Sequence, residues 1–485
     1  KNDSIFTGRY WRFLKDFNIN YLPTNLAVNS NITRQYNQQK FRDVDLLQGN
    51  IGLPTLYQRN YLFDWQYTLN YNLTSSLRFN FTSSNNRIVN NYIDADGNAN
   101  DAIGVWDGFF NVGVPNNHTQ SLQVNYDLPF SKFPFLRFIR STYSYTGDYQ
   151  WQKSSDQYSE LTIEMSNGET ETYNLGNSIQ NGSTHQINTS VDMRTFYRYV
   201  GLTKITPNSK RAKMVNRGAN ERRAQNERIK SGEEPKDLGN PSLISTRDPS
   251  VSQGGVTGSG AVTLDAGDKT VNVLIDLLTS LKRIQFNYQE NNGIFLPGYM
   301  PSVGFMGTTK PTAGFIFGSQ SDVRALAARN GWLTLYPEFN EQYTELHNQQ
   351  MDIQANLEPI KGLTIDVVGS RSYSENYAEN FLIHDGLYQS MTPHTFGNFN
   401  ISTLLIKTAF RSSDAMSSTT FDDFRNNRLV IANRLAEAHY GSGEIPRTED
   451  GFPVGFGRTS QDVLLPAFLS AYSGKDAGKE KTGIF

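Results

Sequence analysis

Residues Asn60 to Leu73 read NYLFDWQYTLNYNL, with Tyr61, Phe63, Trp65, Tyr67, Leu69 and Tyr71 at every second position. Between them lie Asn60, Leu62, Asp64, Gln66, Thr68 and Asn70, polar but for Leu62. Strand side chains alternate between two faces, so the pattern predicts one long strand, aromatic on one side and amide-rich on the other. The chain continues NLTSSLRFNFTSSNN, where Leu77, Phe79 and Phe81 alternate with Arg78, Asn80 and Thr82. A turn around Thr74 and Ser75 then closes a hairpin. Three other stretches repeat the unit: FNINYLPTNLAVNSNITRQY, QVNYDLPFSKFPFLRFIRSTYSYTGDYQW and MDIQANLEPIKGLTIDVVGSRSYSENY, each with a tight turn after a short approach strand.

Single strands are expected through the alternating Ile187 to Tyr199, ending at Val200, over KRIQFNYQE with Ile284, Phe286 and Tyr288 on one face, and from Phe396 to Phe410. That makes about eleven strands, many of them at or beyond the ~9–11 residues that cross a bilayer at a tilt. The pattern divides the chain into barrel strands over 1–203, an insert over 204–281, further strands over 282–410 with an apolar glycine-rich loop at 291–338, and a second insert over 411–485. The first insert holds a charged helix candidate, SKRAKMVNRGANERRAQNERIK, a linker SQGGVTGSG and the amphipathic VNVLIDLLTSL. The second holds TTFDDFRNNRLVIANRLAEAHY, with Asp422 and Asp423 in the first turn, where the helix dipole favours carboxylates.

The expected fold is therefore all-β: a transmembrane antiparallel β-barrel, partial, with helical periplasmic inserts. Soluble sandwiches use strands of ~5–6 residues, about half the length seen here. Aromatics crowd both ends of the apolar faces, as Tyr10 and Trp11 against Tyr21 or Tyr61 against Tyr71, the girdle pattern of outer-membrane strands. Tyr61, Phe63, Trp65, Tyr67, Leu69 and Tyr71 are then expected to face lipid, and Asn60, Asp64, Gln66, Thr68 and Asn70 a wet lumen. Placing the tight turns on the periplasmic side makes the first strand run inward and the eleventh end in the periplasm. A complete barrel starts and ends on that side, so this wall is expected not to close by itself.

Composition changes little. The 485 residues carry a formal charge of −2, so no whole-chain field favours nucleic acid. There is no cysteine, which excludes disulfides, thiolate metal sites and a cysteine nucleophile. A mean hydropathy of −0.53 and the lack of ~18 consecutive apolar residues argue against a transmembrane helix, yet barrel strands read as polar on average. The start, KNDSIFTGRY, has no initiating Met and no signal-peptide pattern, which predicts a processed chain or a piece of one.

FNINYLPTNLAVNSNITRQYNQQKFRD, GIFLPGYMPSVGFMGTTKPTAGFIFGSQSDVRALAARNGWLT and LVIANRLAE closely resemble the SprA/Sov family, the giant outer-membrane translocon of the type 9 secretion system. The likeness runs along essentially the whole chain and implies a segment of the C-terminal half of a much larger protein. It further implies a bacterial outer-membrane location and a single-chain pore that exports folded cargo proteins carrying C-terminal secretion signals. Such export supports gliding motility or surface display. The implied partners are a PorV-type shuttle barrel at a lateral opening, a periplasmic plug protein, the cargo and the lipid bilayer. No enzymatic activity, catalytic residue, metal or cofactor belongs to the family pattern. A receptor or porin-like barrel for small molecules is the alternative, although it would carry mostly short inward turns. A secreted carbohydrate-binding β-protein is a third possibility that the long strands disfavour.

Other chemistry is thin. DADGNAND, Asp94 to Asp101, has its glycine at the fourth position and lacks the closing Glu of an EF-hand. The six histidines show no metal spacing, and His384 beside Asp385 reads as a loop pair. GGVTGSG lacks the Lys-Ser or Lys-Thr of a phosphate loop. The basic run from Lys204 to Lys230 contains Glu221 and Glu227 and no aromatics, the composition of a solvated helix. In the glycine-rich loop, Phe295, Met300, Phe305, Met306, Phe315 and Phe317 are too many large apolar groups to leave in water. They are expected either to pack on the barrel's own wall or rim, or to form a docking or gating surface for a partner.

Overall fold

The computed structural model describes residues 18–41, 55–93, 99–164, 168–206, 266–402, 405, 407–414, 416–441, 443–480 and 482. The charged helix candidate, the glycine-rich linker, Tyr10, Trp11 and Asp94 to Gly97 lie outside them.

The fold is mostly β. The strands are β1 (Asn25–Gln39), β2 (Leu56–Asn72), β3 (Leu77–Ile88), β4 (Val114–Asp127), β5 (Ile139–Gln152), β6 (Leu161–Glu164), β7 (Thr170–Tyr173), β8 (Asn177–Asp192), β9 (Leu281–Tyr299), β10 (Tyr343–Ile360), β11 (Leu363–His384) and β12 (Leu387–Ile401). β6 and β7 pair only with each other. The other ten form one antiparallel sheet in the order β1-β2-β3-β4-β5-β8-β9-β10-β11-β12, a meander in which every strand pairs with its predecessor in the sheet. Among the described residues the sheet is open, with β1 and β12 as its edges. Among the described residues no helix is long and apolar enough to cross a membrane.

Three boundaries differ from the sequence pattern. The strand expected to reach Tyr199 stops at Asp192, and Met193–Tyr199 is a helix. Asp192 stops it: its carboxylate accepts from Arg194 N at 3.1 Å and from Thr195 Oγ1 at 2.9 Å, an N-cap that outweighs the alternation of Met193, Thr195 and Tyr197. The strand expected over Phe396 to Phe410 instead spans Leu387–Ile401, and joins β11 through Asp385 and Gly386 at φ 50° and 71°. Both central residues are left-handed, the geometry of a two-residue hairpin loop. β9 runs on to Tyr299, so Phe295 belongs to a strand and the glycine-rich connection starts at Met300.

The chain divides into two units, 1–399 and 400–485, where sequence placed the second insert from 411. In the second unit, helix Thr419–Tyr440 packs on helix Gln461–Ser473 through Ile431 and Ala467, both fully buried. Phe424 meets Phe468 at 6.2 Å and Asn427 Nδ2 donates to Ser470 Oγ at 2.9 Å. In the first unit, the core lies between one end of the sheet and the connection from Met300 to Gln342. Trp151, Tyr149, Tyr299, Tyr343, Phe315 and Phe381 are its largest members.

Candidate functional site

The register assigns every strand residue to one of two faces. One face carries Asn60, Asp64, Gln66, Thr68 and Asn70 of β2, Asn80, Thr82, Ser84 and Asn86 of β3, and Asn117, Thr119, Ser121 and Gln123 of β4. It continues through Ser144, Thr146, Asp148 and Gln150 of β5, Gln180, Thr184 and Gln186 of β8, and Gln285, Asn287, Gln289 and Asn291 of β9. Few apolar side chains, such as Leu62 and Phe295, interrupt it. The result is a wall of amides and hydroxyls, many already bonded to one another: Ser84 to Thr119 at 2.7 Å, Asn86 Nδ2 to Asp64 Oδ1 at 2.6 Å, Thr184 Oγ1 to Asn291 Oδ1 at 3.0 Å.

The opposite face is divided along its length. Counted from the tight-turn ends at Leu73 to Ser76 and Lys361 to Gly362, about the first eight residues of each strand carry an apolar band. It includes Leu69, Tyr71, Phe79 and Phe81, then Val124, Tyr126 and Tyr143, then Ile187, Val191, Ile284 and Phe286, then Met351, Ile353, Ile365 and Val367. None of these is buried, and Ile353, Ile365 and Val367 are 43–48% exposed. Beyond the band a polar stripe crosses five strands. His185 pairs with Tyr145 and Glu290, Glu290 with Gln349, and Gln349 with Tyr373.

Farther still from the tight turns, the connection from Met300 to Gln342 lies across the face. The sheet holds it by main-chain carbonyls: Trp151 Nε1 donates to Pro301 O at 3.0 Å, Asn85 Nδ2 to Gly304 O at 3.3 Å, Gln120 Nε2 to Ile316 O at 3.3 Å and Tyr145 Oη to Phe317 O at 2.5 Å. Asn181 Nδ2 donates to Phe315 O at 3.1 Å and Ser319 O at 2.8 Å. Glycines let the two backbones approach. Gly147 of β5 faces Phe317 O so closely that a β-carbon there would overlap it, and Gly318, at φ 90°, would place one 2.8 Å from Gly147 Cα.

Arginines tie down the rest of this end. Arg34 Nη2 donates to Gly108 O at 3.1 Å, Arg59 Nη2 to Asn100 O at 3.4 Å, and Arg87 Nε to Val112 O at 2.9 Å, so three strands hold the 99–113 connection. Arg34 also lies over the Tyr61 ring at 4.7 Å. On β11 the fully buried Glu379 accepts from Arg324 Nη1 at 2.5 Å, Tyr377 Oη at 2.7 Å, Tyr388 Oη at 2.8 Å and also from Ser390 Oγ. Arg324 belongs to helix Arg324–Arg329 of the covering connection, and its Nε and Nη2 also reach Asp322 at 2.9 and 3.0 Å. Burial pushes the Asp322 carboxyl up, but the bonds and charge of Arg324 outweigh it and hold the group below the ordinary carboxylate range.

Asn60, Asp64, Gln66, Thr68 and Asn70 share the polar face, and Asn60 Nδ2 donates to Gln35 Oε1 at 3.2 Å. Tyr61, Phe63, Trp65, Tyr67, Leu69 and Tyr71 share the other face, but protein covers its outer part: Tyr61 and Trp65 are buried, and Phe305 stands 6.2 Å from Phe63 and 5.2 Å from Trp65. Tyr67, Leu69 and Tyr71 run down into the band. Of the loop residues, Phe315 is fully buried, Phe305 and Phe317 lie against Trp65 and Phe81, and Met306 is 68% exposed. Phe295 sits on the polar face, and Met300 N donates to Trp332 O at 2.8 Å. Sequence reasoning missed Arg34, Arg59, Arg87, Arg324 and Glu379. Arg59 interrupts the aromatic alternation of β2 between Tyr57 and Tyr61, and that irregularity was the available signal. Among the described residues no group of three or more His, Asp or Glu could hold a metal ion.

Comparison with protein-family models and with curated proteins returned no match.

Proposed function

We propose that the sheet is part of the wall of an outer-membrane β-barrel that conducts proteins, and that the chain is a segment of a type 9 secretion translocon of the SprA/Sov kind. The observation that carries the barrel is the pairing of a predominantly amide and hydroxyl face with an uncovered apolar band on the other side of the same strands. Water can solvate the first face and hydrocarbon the second.

The register supports a tilt of the right size. One row joins Tyr71, Phe79, Val124, Tyr145, His185, Glu290, Gln349 and Tyr373 across eight strands. Tyr71 is two residues from its tight turn at Leu73, whereas Tyr373 is eleven from Gly362. If the turns lie in one plane, each strand steps by about 1.3 residues against its neighbour. With a rise of ~3.3 Å and a spacing of ~4.8 Å, that is a lean of roughly 40°. About eight residues of band at that lean rise ~20 Å, close to the apolar height of an outer-membrane barrel. The covered end then projects beyond the hydrocarbon, where an irregular segment is tolerated.

Among the described residues the sheet is open between β12 and β1; closed by further strands, the barrel would be wider than ten strands and its lumen aqueous. Width and a hydroxyl-amide lining suit passage of a folded chain, with gating left to partners such as the shuttle barrel and the plug. The resemblance of the glycine-rich segment to the translocon family supplies the cargo class. Deleting the parent gene and quantifying secreted against periplasmic proteins tests the function. Periplasmic accumulation of proteins with C-terminal secretion signals, with other exports intact, is the expected result. Normal secretion with failed nutrient uptake would instead identify a receptor or porin.

A further inference from the structure

Between the apolar band and the covering connection lies an open cleft of about 530 Å³. Its floor is Tyr145, Ser183, His185 and Asn292, and its outer rim is Gly318, Ser319 and Gln320 of the connection. Tyr143 lines the side toward the band, and its hydroxyl bonds His185 Nδ1 at 2.9 Å. The volume is that of a small-molecule site.

The cleft's chemistry is hydroxyl and amide rather than cationic. Gln320 Nε2 reaches Gly318 O at 2.9 Å and Ser183 Oγ at 3.4 Å, and Asn292 Nδ2 donates to Glu290 Oε1 at 3.1 Å. No Lys or Arg lines it. Such a lining pairs with the alternating donors and acceptors of a sugar, whereas a phosphate would meet Glu290 next to the floor with no Lys or Arg in the lining to offset it. Tyr143 and Tyr145 supply ring surface for a sugar, their hydroxyls being held by His185 and Phe317, and tyrosines favour the bilayer interface. Below them Tyr288, Ile187 and Phe286 continue without a step into the band. The site thus has the two halves of an amphiphile's complement, at the height where the band ends.

We infer that this cleft binds the sugar headgroup of an outer-leaflet glycolipid, with its acyl chains lying down the band over Ile187 and Phe286. The inference rests on the barrel reading. Bound lipid would seal the seam between bilayer and covering connection, filling space that neither hydrocarbon nor the Gly318 to Gln320 edge occupies.

The test uses the full chain extracted in an ethylene-glycol-headed detergent, with native mass spectrometry as the readout. Dodecyl maltoside, phosphatidylglycerol and free maltose are the probes. One dodecyl maltoside per chain is expected, with phosphatidylglycerol held at least about tenfold more weakly and maltose alone not retained. Asn292→Leu and Gln320→Ala should each weaken retention by about tenfold, the worth of one or two hydrogen bonds, while Ser121→Ala on the polar face should not. Gln320 lies outside the strands, so its substitution leaves the sheet intact even if Asn292→Leu does not. Equal retention of the two lipids, retention of maltose as strong as that of its dodecyl form, or indifference to Gln320→Ala would each overturn the inference. A chain that stays in water without detergent and does not enter liposomes fails the barrel reading instead; one that enters but keeps no glycolipid fails only the cleft.

Discussion

Replacing Gly147 with Ala puts a β-carbon where the carbonyl oxygen of Phe317 sits, far inside the ~3.5 Å of ordinary contact. Both atoms are tied to main chain, one to a central strand and one to the covering connection, so no side chain can swing aside. The connection is the softer partner, and it must lift. Lifting Phe315 to Phe317 breaks the bonds from Tyr145, Asn181 and Gln120, at about 1 kcal/mol each. The detached population should therefore rise by ~3 kcal/mol, roughly 150-fold. Trypsin reads this directly, because Arg324 and Arg329 lie on the connection and cleavage tracks the open fraction when reclosing is fast. Gly182→Ala is the control: it is the neighbouring strand's glycine, and its β-carbon would meet only Asn292 O at 3.6 Å. Equal cleavage rates for Gly147→Ala and the parent chain would refute the close crossing of the two backbones.

Other outcomes follow from the same geometry. Glu379→Gln removes one carboxylate from Arg324 but leaves Asp322, so the loss should sit at the lower end for a broken buried pair, about 3 kcal/mol, visible as faster amide exchange over residues 322–329. Unchanged exchange there would dismiss the pair as a latch. Val124→Arg faces the band and should cost about 2–4 kcal/mol of folding in bilayers, whereas Gln123→Arg, one residue away on the polar wall, should be tolerated; equal effects would show that the faces are misassigned. Phe315→Ala empties a fully buried site against Tyr149 and should destabilise the first unit by ~3–5 kcal/mol in denaturant titration, with the two-helix unit's transition unmoved. A single shift of both transitions would mean that the units unfold together.

Strand identity was legible because alternation is a local property. Tyr61 to Tyr71 needed only their own neighbours to declare two faces, and the amide wall follows from repeating that pattern through the register. Capping chemistry was legible too but competed with it: Asp192 ends a strand whose side chains alternate for seven residues more. The Asp385-Gly386 pair is a hairpin signal of the strongest kind, hidden by its position beside a histidine that drew a chemical reading. The division of the apolar face was not legible. Trp65 and Tyr71 are the same kind of residue six positions apart, and only the path of a connection more than 200 residues later decides that Phe305 covers the first and not the second.

The amide wall has a consequence for anything that slides along it. Asn116 Nδ2 donates to Asn86 Oδ1 at 2.9 Å while Asn86 donates in turn to Asp64, and Asn80 is joined to Gln123 and Gln289 to Asn291. Side chains already occupied with each other present few vacant donors or acceptors to a moving surface. Each transient grip must first break an internal bond, so its net depth falls toward ~0.6 kcal/mol, the scale of thermal energy. On the translocon proposal, friction along such a wall would be set by water viscosity rather than by adhesion.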